Sequence, residues 1–303
     1  MTLYVPAALL AATAVVLLGP ASALLARARW VETAPRAAVG LWQTIGISAL
    51  LSGAGSGLCV ATERYHAGFV GGLGRLFEGL TSGRPLEGLG LPDALGLTLA
   101  ADLAVVLVCL LGAVTIRTVR TRARHRHLVD LLSRRRHDSG AAVLDVRAAV
   151  AYCIPGIKPR IVVSEGALDL LDKTEVDAVL AHERGHAHER HGLVMLPLVG
   201  ISKVFGFVPY ARLAPPAVAA LLEMAADDYA VRRQDRNALV SALVSMATAG
   251  ALPACSFALT GGSVSRRVER LVRPSTSSAR TVLAASGAAL ALLALPLAIL
   301  LAV

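Results

Sequence analysis

His182, Glu183 and His186 stand in the order His-Glu-x-x-His within the stretch VLAHERGHAHERHG, residues 179–192. Positions four apart in an α-helix lie one turn apart on the same face, so both imidazoles point to one side. Two such rings can hold one zinc ion, and a glutamate directly after the first is placed to take a proton from water attacking a peptide carbonyl. These residue types therefore suggest metal-assisted hydrolysis, with Zn2+ as cofactor, His182 and His186 as ligands and Glu183 as general base. A zinc hydrolase needs a third protein ligand and keeps a fourth position open. The stretch LLEMAADDYA, residues 221–230, offers Glu223 as that ligand. Asp227, four residues on, can accept the spare N–H of a ligating histidine and fix its tautomer. Acids flanked by Leu221, Leu222, Met224, Ala225 and Ala226 are not an ordinary solvated edge. His188 falls nearly opposite His186 on the helix and His191 at its end, so both are read as surface or hydrogen-bonding groups, not ligands.

The elements that must carry these residues follow from local pattern. From Glu175, the apolar positions Val176, Val179 and Leu180 recur at helical spacing and run into the histidines. Thr174, with Asp177 three residues later, reads as the start of that helix. Val179, Leu180 and Ala181 are expected to bury the turn leading into the site, and Gly185 to leave space beside the metal position. Upstream come a short apolar piece at 148–154, a PGIKP turn, a strand RIVVS at 160–164 and a brief helix at 168–171.

The chain around the motif is apolar: 55% of its 303 residues are hydrophobic. Residues 3–26, 37–61, 91–116 and 281–303 are each long enough to cross a bilayer as a helix. The predicted architecture is mainly α and integral to the membrane. Residues 1–116 form three transmembrane helices, 117–280 a cytoplasmic α+β zinc-peptidase core, and 281–303 a fourth transmembrane helix. Ala21-Ser22-Ala23 resembles a cleavage site, but no Lys or Arg precedes the first apolar run, so it is read as a retained span. Arg27, Arg29 and Arg36 in the first loop and eight arginines in residues 117–136 place these segments in the cytoplasm, with both termini outside the inner membrane. Residues 117–280 hold 24 Lys and Arg against 15 Asp and Glu. Because the arginine run abuts a span, it reads as a topology anchor against anionic headgroups, and no direct nucleic-acid contact is expected. The SGAGSG of the second span reads as helix packing and the Gly-rich outer loop as free of chemistry. Four scattered cysteines, none in a CxxC pair, indicate neither a thiolate site nor a disulfide framework. Residues 192–210 are apolar enough to suggest another span, yet one crossing would separate Glu223 from both histidines by a bilayer. That segment is therefore expected to be interfacial or re-entrant.

KPRIVVSEGALDLL, EVDAVLAHERGHAHERH and LLEMAADDYAVR together resemble the zinc-peptidase core of the BlaR/MecR-type antirepressor transducers. They are also similar to the wider membrane gluzincins of the HtpX and CAAX-prenyl-protease kind. The resemblance implies ligands at His182, His186 and Glu223, catalysis by Glu183, and a substrate docked against an edge strand at Arg160, Ile161, Val162 and Val163. It implies a protein substrate such as a winged-helix repressor, whose loss induces target genes. The penicillin-binding sensor of those transducers has no counterpart in these 303 residues, and no Ser-x-x-Lys occurs for a β-lactam to acylate. Two other readings compete with the peptidase: a scaffold that binds a repressor without cutting it, and a membrane quality-control protease.

Overall fold

A computed structural model describes residues 2–82, 90–156, 159–249, 261–273 and 278–302. Helix α1 (Tyr4–Val16) passes through a π-helical turn at Leu17–Ala21 into α2 (Ser22–Arg27). Pro20 sits in that turn, where its missing N–H removes a helical hydrogen bond. Next come α3 (Pro35–Thr62), α4 (Gly68–Thr81) and α5 (Leu91–Leu132). The Gly-rich outer loop is thus partly helical: α4 packs back against α3, a fold its glycines hid. Helix α5 runs unbroken for 42 residues, so the first five arginines of the run, Arg117 to Arg126, extend the third apolar stretch, and the last three lie beyond the helix.

Four helical stretches among the described residues are long and apolar enough to cross a membrane: Tyr4–Arg27, Pro35–Tyr65, Leu91–Leu132 and Ala279–Leu301. Their packing follows small residues. A Cβ added to Gly57 would stand 2.6 Å from the Gly96 carbonyl oxygen, so α3 and α5 approach closely only where glycine faces glycine. The helix-packing expectation for SGAGSG agrees with this crossing.

A small mixed sheet follows α5: β1 (Ser133–Arg136), β2 (Ala142–Leu144), β3 (Ala151–Ile154) and β4 (Arg160–Ser164), in the order β1-β2-β4-β3. Strand β4 pairs parallel with β2 and antiparallel with β3. The Arg160, Ile161, Val162 and Val163 strand exists as expected, but it lies inside the sheet and offers no edge. β3 is the edge on that side, and the expectation of docking at β4 is corrected accordingly. The middle of the PGIKP turn, at 157–158, and Cys255 lie outside the described residues.

The remaining elements are α6 (Glu165–Leu170), α7 (Lys173–His188), α8 (His191–Val204), α9 (Pro209–Ala230), α10 (Arg236–Thr248), α11 (Gly261–Val272) and α12 (Ala279–Leu301). Val163, Val176, Val179 and Leu180 form one core with Ala242 and Met246 between the sheet, α7 and α10. A second core joins the apolar bundle to the elements after the sheet: Trp42 and Ile45 of α3 pack on Leu198 of α8 and on Tyr210, Ala214, Val218 and Leu222 of α9. The Tyr210 hydroxyl donates to the Trp42 carbonyl at 3.0 Å. A side chain on Gly46 would collide with that hydroxyl, so glycine there lets α9 seat on α3. Helix α8, with 14 residues, is too short to cross a bilayer and packs against α5 and α9.

Candidate metal centre

Helix α7 starts one turn before the motif's apolar lead-in. Asp172 caps it: its Oδ1 accepts from the Glu175 N–H at 2.9 Å, and Glu175 answers by accepting from the Asp172 N–H at 2.9 Å. The Thr174 hydroxyl donates to Asp172 Oδ1 at 2.7 Å. The expected cap at Thr174 with Asp177 is thus displaced by two residues, because Asp172 completes the reciprocal box and uses Thr174 as support. Val179, Leu180 and Ala181 are buried as expected.

One turn of α7 then presents His182 and His186, with Nε2 atoms 3.1 Å apart. Helix α9 crosses α7 at Gly185, where a Cβ would meet Ala226 Cα at 3.2 Å and Tyr229 Cβ at 3.1 Å. The room left by Gly185 therefore admits the α9 backbone instead of opening space at the metal position. This close crossing brings Glu223 into place, its Oε2 3.5 Å from His182 Nε2 and its Oε1 3.5 Å from His186 Nε2. Ligand atoms of His182, His186 and Glu223 all lie within 4.8 Å of one another. Two imidazoles and one carboxylate facing a common point suit a single divalent ion that binds N and O at about 2.0–2.2 Å.

The backs of both rings are anchored. His182 Nδ1 lies 2.9 Å from Asp227 Oδ1, so the ring donates there and turns its Nε2 toward Glu223. His186 Nδ1 faces His191 Nδ1 at 2.8 Å, and His191 Nε2 faces Glu189 Oε2 at 3.3 Å. His191 is thus a buried hydrogen-bonding group, while His188 is exposed and packs on Tyr229.

Arg267 of α11 is the group that motif reading missed. It is 5% exposed. It grips Asp227 with two bonds, Nη2 to Oδ1 at 2.6 Å and Nε to Oδ2 at 2.8 Å, and its Nη1 lies 3.0 Å from Glu223 Oε2. Its signal in the sequence was its position among Val264, Val268 and Leu271, an arginine inside the apolar stripe of an amphipathic helix.

Burial and these partners shape the charges. Burial opposes ionisation of Glu223, but Arg267 and the two histidines outweigh it and hold the carboxyl at about 2. For Asp227 the same contest, won by Arg267 and His182, leaves its carboxyl far below the usual range. Burial alone would lower His182; its hydrogen bonds to Asp227 and Glu223 prevail and raise it to about 9. Desolvation, with His182 alongside, lowers His186 to about 3. For Glu183 burial outweighs the pull of His182 and Arg267 and pushes the carboxyl up to about 7.

A cavity of about 620 Å³ opens onto this centre, and His182, Glu183, His186 and Glu223 all line it. Strand β3 forms one wall. The Ser164 N–H bonds to the Val150 carbonyl, and the antiparallel alternation turns the peptide groups of Ala151 and Cys153 away from β4. The Cys153 backbone is hydrogen-bonded to Glu183, so the outer edge of β3 faces the turn of α7 that carries His182 and Glu183. From the other side, His125 of α5 meets the Tyr152 hydroxyl at 3.0 Å.

Comparison with known protein families matches residues 119–269 to peptidase family M48. His182, Glu183, His186, His191, Glu223, Asp227 and Arg267 all lie inside that span, and the chain carries a peptidase M48 domain. No curated protein and no solved structure matches the chain significantly.

Proposed function

From the M48 metallopeptidase domain as premise, we propose that this protein is an integral-membrane zinc endopeptidase whose ligands are His182, His186 and Glu223. The observation that carries the reading is the convergence of those three donors within 4.8 Å, at a cavity that Glu183 also lines. Zinc, when bound, supplies a Lewis acid that polarises the scissile carbonyl and makes water a better nucleophile. Glu183 takes the proton of the attacking water on its carboxylate and passes it to the nitrogen of the leaving amine. Its buried setting suits both halves of that task, because a carboxyl raised toward neutrality gives up a proton as readily as it takes one. Asp227 holds the tautomer of His182, and Arg267 keeps Asp227 and Glu223 ionised and in place. An extended substrate pairs with the outward peptide groups of β3, adding a strand to the sheet.

The basic first and third loops support a cytoplasmic peptidase domain, anchored by four spans in the inner membrane. The resemblance to antirepressor transducers supports a cytoplasmic regulator as substrate, in particular a winged-helix repressor whose cleavage induces genes. The test compares wild type with Glu183→Gln in cells, following fragments by proteomics and zinc content in purified protein. The variant is expected to keep its zinc and lose cleavage by a factor of about 10²–10⁴. A chelator is expected to abolish wild-type cleavage, and added zinc to restore it. A Glu183→Gln strain with unchanged proteolysis and intact gene induction would favour a non-cutting scaffold and end the enzyme reading.

A further inference from the structure

Arg36 lies outside the family match, in the first turn of α3, yet its guanidinium turns into the peptidase domain. Nη2 is 2.6 Å from Glu189 Oε1 and donates to the Ala225 carbonyl at 2.8 Å. Nε is 3.1 Å from both Glu189 oxygens, and Nη1 is 3.3 Å from Asp228 Oδ2. A positive-inside bias explains an arginine in this loop but not this many-pronged grip. A cation in the first turn of a helix is moreover at the wrong end of the helix dipole.

The grip continues to the metal centre. His191 Nε2 lies 3.3 Å from Glu189 Oε2, and a carboxylate can only accept, so a neutral His191 ring held there donates from Nε2 and has no proton on Nδ1. The facing Nδ1 of His186 must then be the donor, and its Nε2 keeps a lone pair turned toward His182 and Glu223. If Glu189 swings away, His191 can carry its proton on Nδ1 instead. His186 Nδ1 then becomes the acceptor, the ring's one proton sits on Nε2, and no lone pair faces the metal position.

We propose that Arg36 is a positioning residue for the metal centre: by clamping Glu189 it sets the tautomer of His191 and keeps the Nε2 lone pair of His186 directed at the metal position. This rests on the zinc reading above. The Arg36 side chain is 39% exposed, so the pair itself adds little to stability. Its effect should appear in metal binding.

The experiment uses the full chain in detergent. Zinc affinity is measured by competition with a chromophoric chelator, and the visible bands of the cobalt(II)-substituted protein report ligand geometry. Arg36→Ala is expected to weaken zinc binding by about tenfold and alter the cobalt bands, since partners of metal-binding histidines are worth about 10–100-fold. Arg36→Lys, which keeps charge without the fork, should fall between and decides the matter if Arg36→Ala does not fold. The double variant Arg36→Ala/His191→Phe should bind no worse than His191→Phe alone, because both act along one path. Wild-type affinity and cobalt bands in Arg36→Ala and Arg36→Lys, or losses that add in the double variant, overturn the proposal. A wild-type chain that takes up neither metal overturns the zinc reading and the proposal with it.

Discussion

Asp227 is almost wholly buried, 1% exposed, and bonds both the ring of His182 and the guanidinium of Arg267. It is therefore the most informative position to change without touching a ligand. Asp227→Asn keeps the shape but halves the charge facing Arg267 from its two carboxylates. Zinc affinity, read by chelator competition, is expected to drop about 10–100-fold. Unaltered affinity would show that His182 needs no partner. At this scale the ligands were legible because i, i+4 spacing is a local property, and Asp227 because it repeats that spacing from Glu223. Arg267 was not, since RRVER looks like a solvated helix face until its neighbours Val264, Val268 and Leu271 are seen to share one inward stripe, partly buried at the two valines and buried at Leu271. His191 was read as a surface or hydrogen-bonding group, but its burial and its partner His186 emerge only when the chain turns at Arg190, whose φ of 52° redirects it into α8.

The reciprocal cap at the start of α7 makes the element that carries the motif. Hydrogen bonds from Thr174 and the Glu175 backbone lower the Asp172 carboxyl below its ordinary value. A lowered folded pKa contributes stability that is complete above the unfolded value and fades as pH falls through the folded one. Asp172→Ala is thus expected to lower the melting temperature by a few degrees at pH 7 and to make progressively less difference toward pH 3, followed by circular dichroism. An equal shift at both pH values would contradict the cap. The strands show where reading by element stops. RIVVS was legible as a strand, and its run of β-branched residues is what a strand covered on both sides needs. Which strand ends up at the edge depends on pairing order, set by contacts between segments that no single stretch encodes. The glycines of α4 hid that helix for a related reason, since its stability comes from packing on α3.

For the whole molecule, the apolar stretches announced the bundle, and basic loops suggested its orientation. Single cysteines in a background without Cys59, Cys109, Cys153 and Cys255 test the orientation directly. An impermeant maleimide is expected to label His66→Cys on intact cells and to reach His188→Cys only after permeabilisation, because the proposed topology puts these two exposed positions on opposite sides. The reverse pattern would invert the topology. The joint between bundle and peptidase was not legible, because Trp42, Gly46 and Tyr210 meet across more than 160 positions of chain. Nor was the length of α5, whose charged half resembled a separate segment. At 1.5 Å per residue that helix is a rod of about 63 Å, and roughly 24 Å of it, from Arg117 onward, stands clear of its apolar half. Such a rod works as a lever: a pivot of about 5° where it leaves the bilayer carries its far end about 2 Å. His125 rides on that arm and touches Tyr152, and Val129 packs in one core with the same strand, so a slight lean of one helix would carry the cavity wall with it.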